Sequence, residues 1–329
     1  MMSEKITLGK ALNHGLRRSL ESDSKVVIMG EDVGKLGGVF RITDGLQKDF
    51  GEDRVIDTPL AEAGIVGTAV GLAIRGYRPV CEIQFDGFVF PAYNQIVAQV
   101  AKMYFRSLGN VRLPIVIRIP YGGGIGAVEH HSESPEAYFA HTPGLKVVTC
   151  SNPADAYVMI QQAIASDDPI VFFEPKRRYW EKGEVDLDAG LAEAYPLHAS
   201  RVVRQGTDAT VIAYGPMVRV ALDAAAAAEE DGRNLEVIDL RTLSPLDLGP
   251  VYDSVRRTGR AVIVHEAPGN LGMGSEIAAR ITEECFYSLE APVLRVTGYD
   301  TPYPAARVEE EYLPDLDRVL DAVDRSFGW

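Results

Sequence analysis

The side chains able to do chemistry in this sequence fall just after short apolar runs. Gly30-Glu31-Asp32 follows the run 25–29, and Asp57-Thr58-Pro59-Leu60-Ala61-Glu62 follows 54–56. Asp86-Gly87-Phe88 follows 79–85, and Tyr121-Gly122-Gly123-Gly124-Ile125-Gly126 follows 114–119 and leads on to His130-His131-Ser132. Carboxylates and imidazoles are the usual groups of general acid–base catalysis. Taken singly, each acid reads as a helix cap or a solvated surface group. Their meeting at one place would make them a candidate site.

Glu62 stands at the mouth of a run whose glycines, Gly64, Gly67 and Gly71, recur three and four residues apart. Glycine inside a helix costs roughly 1 kcal/mol relative to alanine, so such a row calls for a reason. Close approach of another backbone supplies one. The row predicts a subunit contact that presents Glu62 to a site shared between chains.

Other constellations are weaker. His130 and His131 are adjacent, so their side chains diverge and they make a poor metal pair. H-E-x-x-H, C-x-x-C, Walker A and G-x-S-x-G patterns are all missing. Gly269, Gly272 and Gly274 lie between a strand and a helix, but their spacing reverses that of the dinucleotide fingerprint. His14, His141 and His198 read as structural. His265, before Glu266 at a strand end, is open to either a structural or a functional reading.

The elements that must position these groups alternate. Strands are expected at 25–29, 54–56, 79–85, 114–119, 145–150 and 169–174, with helices near 61–74, 91–107, 135–140 and 153–166. Asn152-Pro153 is a helix start with an N-cap followed by proline at the first helical position. Several strands are apolar without alternation, as in a sheet covered on both faces. The class is therefore α/β with a mostly parallel sheet, whose ligands bind at the strands' carboxyl ends. That is where the loops above converge. Residues from about 176 to 206 are charged and turn-rich and read as a connecting arm. A second, smaller series follows: strands at 209–214, 235–238, 261–264 and 292–296, a helix including 224–228, and another from Ser275.

A chain of 329 residues suggests two domains. With 33 Lys+Arg against 47 Asp+Glu, the net charge of −14 argues against nucleic-acid or anionic-membrane binding. No apolar run approaches the ~20 residues of a membrane span. The opening Met1-Met2-Ser3-Glu4-Lys5-Ile6 has neither a signal-peptide core nor a transit-peptide character. Cys81, Cys150 and Cys285 are too few and too far apart for a disulfide framework. A cytoplasmic location is expected.

Six segments together resemble the β subunit of thiamine-diphosphate-dependent 2-oxo acid dehydrogenases. They are Asp57-Thr58-Pro59-Leu60-Ala61-Glu62-Ala63-Gly64-Ile65-Val66-Gly67, Cys81-Glu82-Ile83-Gln84-Phe85, His131-Ser132-Glu133-Ser134-Pro135-Glu136, Pro143-Gly144-Leu145-Lys146-Val147-Val148, Val237-Ile238-Asp239-Leu240-Arg241-Thr242 and Gly298-Tyr299-Asp300-Thr301-Pro302. The resemblance implies a transketolase-like fold: a pyrimidine-binding domain over 1–180, a connecting segment over 181–205 and a transketolase C-terminal-like domain over 206–329. It implies oxidative decarboxylation of a 2-oxo acid and reductive acylation of lipoyl groups on an acyltransferase core.

By the same resemblance, Glu62 hydrogen-bonds the aminopyrimidine ring of the cofactor, Leu60 and Gln84 line that ring, and Phe88 packs on it. His131 lies near the reactive carbon, Tyr121 near the substrate pocket, and Glu31 on an acidic proton path between two cofactors. The Gly-Asp-Gly…Asn motif that holds magnesium and diphosphate has no counterpart after Thr43-Asp44-Gly45 or Phe85-Asp86-Gly87. An α subunit is therefore expected to supply that half in an α2β2 heterotetramer. The C-terminal domain would dock the acyltransferase core, and a monovalent cation such as potassium has no assignable residues. Phe172-Phe173-Glu174-Pro175-Lys176 and Gly298-Tyr299-Asp300-Thr301-Pro302-Tyr303-Pro304 resemble branched-chain enzymes more than pyruvate or acetoin enzymes. A nucleotide-dependent oxidoreductase, a self-sufficient transketolase or synthase, and a non-catalytic subunit are the rival classes.

Overall fold

A computed structural model describes residues 3–191 and 194–329. Met1 and Met2 of the expected first domain, and residues 192–193 of the expected connecting segment, lie outside the described residues. The chain opens with β1 (Ser3–Thr7) and α1 (Leu8–Ser22), followed by β2 (Val26–Gly30), α2 (Leu46–Phe50), β3 (Val55–Asp57), α3 (Glu62–Ile74) and β4 (Arg78–Glu82). Next come α4 (Met103–Arg106), β5 (Val116–Tyr121), α5 (Glu136–Ala140), β6 (Lys146–Thr149), α6 (Pro153–Ala165) and β7 (Ile170–Pro175). The remainder comprises β8 (Lys182–Asp186), β9 (Arg201–Arg204), β10 (Ala209–Ala213), α7 (Met217–Glu230), β11 (Leu235–Asp239), β12 (Thr242–Ser244), α8 (Gly249–Thr258), β13 (Ala261–Pro268), α9 (Met273–Cys285), β14 (Leu294–Gly298), α10 (Glu309–Tyr312) and α11 (Leu316–Ser326).

Seven strands form the first sheet in the order β12-β6-β7-β5-β4-β2-β3, parallel except for β12. Five form the second, β14-β13-β10-β11-β9, parallel except for β9. Every residue of β2, β5, β7, β10 and β11 is buried, as layers on both faces demand. One apolar core runs unbroken from Met29, Ile65 and Val66 through Phe173 to Ile212, Ile238 and Ile277, and so joins the two sheets. A second core lies under α1 and α6, and a third under α7 and α11.

Three expectations change. The helix expected over 91–107 is broken into a 3-10 segment with Pro91 inside it, a π-helical turn at Gln95–Val100 and the short α4. Pro91 fits the 3-10 segment, and the change from α-helical spacing comes after it, where Ala101 N–H donates to Ile96 O in a π-helical bond that widens the turn. The arm over 176–206 is not structureless: β8 pairs antiparallel with β1, and β9 is the antiparallel edge of the second sheet. Nor does the chain stay in its second domain after 206, because β12 returns to edge the first sheet against β6. Asn152 caps α6 as expected, accepting from the Asp155 N–H at 2.9 Å.

Candidate functional site

The carboxyl ends of β2, β3 and β4 lie side by side, and parallel pairing aligns Gly30 with both Asp57 and Glu82. The loops that leave these ends are tied together by backbone bonds. Thr58 N–H donates to Gly30 O at 2.9 Å, and Gly34 N–H donates to Asp57 Oδ1 at 2.6 Å. Glu31, directly after β2, is buried, with Oε1 lacking a partner among the described residues. Glu62 opens α3, is only 7% exposed, and its side chain makes no hydrogen bond or ion pair with the described residues. Burial, then the neighbouring Glu62 and Asp32, raises the proton affinity of Glu31 above that of an ordinary carboxylate. Thr58 Oγ1 is likewise buried and unpartnered. Gln84 donates to Asp32 Oδ2 at 3.2 Å.

Beyond Gln84 the edge becomes aromatic. Phe85 stacks on His131 with centroids 4.0 Å apart and planes 17° from parallel, and Phe88 meets the same imidazole edge-on at 5.1 Å. His131 Nδ1 is buried without a partner. Gly87 allows this approach, since a Cβ there would lie 2.8 Å from that of His130. Leu60 is 78% exposed on the loop before α3.

Tyr121 departs from expectation. It is 1% exposed, its ring packs on Phe173 at 4.9 Å, and its hydroxyl lies 3.1 Å from Thr149 Oγ1. It belongs to the core that joins the sheets, because β5 ends where the second domain covers it. His265 is settled as structural: it is buried, its Nδ1 is 3.0 Å from Ala267 O, and its Nε2 accepts from Gly274 N–H at 3.2 Å. Burial lowers its pKa to about 4, so the ring is neutral. Gly272 and Gly274 serve that contact, since a Cβ on Gly274 would lie 2.7 Å from Nε2. Sequence reasoning missed Phe85 as the stacking partner of His131, although Phe85 sits in one of the quoted motifs. It also missed the buried pair of Asp86 and Lys176, which lie 90 positions apart.

Comparison with known proteins bears on these residues. Residues 4–181 match the transketolase pyrimidine binding domain, and residues 198–319 match the transketolase C-terminal domain. A protein of Leifsonia xyli subsp. xyli (strain CTCB07), named pyruvate dehydrogenase E1 component subunit beta, is 64% identical over 326 residues, covering 99% of this chain and 96% of its own. The chain belongs to the E1 β subunits of 2-oxo acid dehydrogenases. Another E1 β relative, from Mycobacterium tuberculosis (strain CDC 1551 / Oshkosh) and named 3-methyl-2-oxobutanoate dehydrogenase subunit beta, is 52% identical over 325 residues, covering 98% of this chain and 92% of its own. A solved split gene transketolase, described as an inactive beta4 tetramer, shares the E1 β fold at a TM-score of 0.79 with 22% identity, covering 99% of each chain.

E1 β membership implies thiamine diphosphate, and the site suits the polar ring of that cofactor. Glu31 Oε1, Thr58 Oγ1 and His131 Nδ1 are buried at one sheet edge without a hydrogen-bond partner among the described residues, and the Glu62 carboxylate beside them is unpaired but reaches solvent. A folded chain rarely leaves so many buried polar groups unsatisfied without a functional reason. No helix among the described residues is long and apolar enough to cross a membrane.

Proposed function

We propose that this chain is the pyrimidine-binding half of a 2-oxo acid decarboxylase and turns over only beside an α subunit. Glu62 carries the reading: a carboxylate at a helix start, 7% exposed, with no side-chain partner among the described residues and a second acid beside it. When bound, thiamine diphosphate supplies the electron sink for loss of carbon dioxide. Glu62 holds the aminopyrimidine ring nitrogen, while Leu60, Gln84 and Phe88 line that ring. His131, steadied by Phe85, handles the substrate carboxylate or the incoming lipoyl group. Glu31, whose proton is favoured, belongs to an acidic path between sites.

The α subunit contributes magnesium and the diphosphate half, giving an α2β2 heterotetramer. The open face of α3 supports such a contact. Gly64 and Gly71 are exposed, and a Cβ on Gly71 would meet nothing within 4 Å in this chain. The C-terminal domain over 206–329 docks a lipoyl acyltransferase core, whose basic binding module the acidic charge suits. We assign a cytoplasmic location, and leave a potassium site without residues.

For the substrate we propose a branched-chain 2-oxo acid, supported by the motifs around Phe172 and Tyr299 and by the Mycobacterium relative. Pyruvate is the second reading, favoured by the name of the Leifsonia relative. A methylene or two discriminates by only ~1–3 kcal/mol, so the choice is a matter of rates. The test is to purify the chain alone and co-expressed with its α subunit, and to assay 3-methyl-2-oxobutanoate against pyruvate. Turnover by the isolated chain would refute the half-site reading, and faster turnover of pyruvate would select the second substrate.

A further inference from the structure

The position of His131 is inherited. Among the described residues its imidazole has no hydrogen bond through Nδ1 and is held by ring contacts with Phe85 and Phe88, so the backbone segment 122–134 decides where it stands. At its base Gly122 N–H donates to Glu133 O at 3.0 Å, and Glu133 N–H donates to Asp86 Oδ2 at 2.8 Å. Its far end, at His130 and His131, packs on Phe85, Gly87 and Phe88 of the same domain, whereas its glycine loop is held from the other domain. Gly123 N–H donates to Glu266 Oε2 at 3.0 Å. Gly124 N–H and Gly126 N–H donate to the two oxygens of Glu309 at 2.8 and 2.9 Å. Tyr303 Oη donates to Glu309 Oε1 at 2.6 Å.

We infer that Glu309 of the C-terminal domain is a positioning residue for His131, gripping the glycine loop 122–126 through two backbone N–H groups. This rests on the proposed role of His131. The glycines fit the grip: Gly124 and Gly126 take φ of +83° and +69°, which side chains disfavour. A Cβ on Gly123 would collide with Tyr303 Oη, and one on Gly124 with Arg177. Glu309 is buried, and hydrogen bonds to an ionised acceptor are among the stronger ones. Without it, Gly126 N–H loses its acceptor, while Gly124 keeps Tyr303 and the Arg177 side chain beside it.

The experiment uses the assembled α/β enzyme with Glu309→Ala, Glu309→Gln, Glu310→Gln, His131→Ala and the double variant Glu309→Ala/His131→Ala. Glu310 pairs with Arg177 at 3.1 Å beside the clamp and touches no loop N–H, so Glu310→Gln separates the effect of Arg177 packing from that of the Glu309 clamp. Glu309→Ala is expected to speed amide exchange in 122–131 and to lower kcat by about 100-fold, the scale of an ångström of misplacement. Cofactor affinity should hold within about threefold, since Glu309 approaches none of the ring-lining residues. Glu309→Gln keeps one acceptor oxygen and should fall between, which also serves if the alanine variant does not fold. The double variant should be no slower than His131→Ala alone, as coupled residues require. Additive losses, unchanged exchange in 122–131, or a kcat within twofold of wild type would overturn the assignment. Normal turnover by His131→Ala would instead remove the reading on which it rests.

Discussion

Two groups of buried acids share one edge of the first sheet and differ in whether their own chain satisfies them. On the central strands, Arg118 is fully buried between Glu82 and Glu174. Its Nη1 lies 2.5 Å from Glu82 Oε2, its Nε 2.6 Å from Glu174 Oε1, and Tyr179 donates to Glu174 Oε2 at 2.6 Å. At the outer strands, Glu31 and Glu62 sit together with no cation between them among the described residues. Charges neutralised within the chain belong to the fold. Charges left uncompensated beside a face of α3 that could admit another backbone belong to a site completed by something else.

The comparison breaks most visibly at Arg118. Arg118→Met leaves two carboxylates buried without a counter-charge and should cost ~3–5 kcal/mol of stability, read by urea unfolding of the chain. A loss below about 1 kcal/mol would mean that water or relaxation satisfies them, and the contrast would fail. Glu62→Gln should do the opposite. Unfolding should be unchanged or slightly favourable to the fold, since a like charge near Glu31 is removed, while turnover with the α subunit drops by roughly 10³-fold. Normal turnover would remove Glu62 from the chemistry.

Gly71→Leu sharpens the contrast on the interface side. The substitution meets open space, so the isolated chain should gain up to about 1 kcal/mol from helix propensity. Co-purification with the α subunit should nevertheless weaken, and undiminished assembly would show that this face stays uncovered. The smallest effect is a pH dependence. The Glu31 pKa is raised above 4.5, so the folded chain holds that proton more tightly than the unfolded chain. Its contribution to stability is full at pH below the ordinary carboxylate value and is lost as pH rises through the folded one. Glu31→Gln should flatten that part of the stability–pH curve, and an unchanged slope would contradict the crowding of acids.

The alternation of strands and helices was legible because parallel strands buried on both faces are written as apolar runs. Val26–Gly30 and Ile170–Pro175 lie within one residue of the expected 25–29 and 169–174. The start of α6 was legible for a local reason, since Asn152 and Pro153 act within one helical turn. β8 and β9 were not. Their residues carry charges at edge positions, and only pairing with β1 and β11 makes them strands. β12 is three residues long, and nothing in Thr242-Leu243-Ser244 announces that it crosses back to the first sheet. In the site, Glu62, Gln84, Phe88 and His131 were named from motifs. Glu266 and Glu309 were not, because they reach the loop from 143 and 185 positions away.

By itself the sequence determined what is local or periodic: which runs are buried, where helices begin, and which acids follow strand ends. Those properties depend on neighbours within a few residues, so they survive reading in one dimension. Tertiary structure alone decided which acids find a cation, that Phe85 carries the imidazole, that Tyr121 is core, and that the second domain grips a loop of the first. Each of these is a pairing across long stretches of chain, and burial raises the energetic weight of a pairing only once the layers close around it.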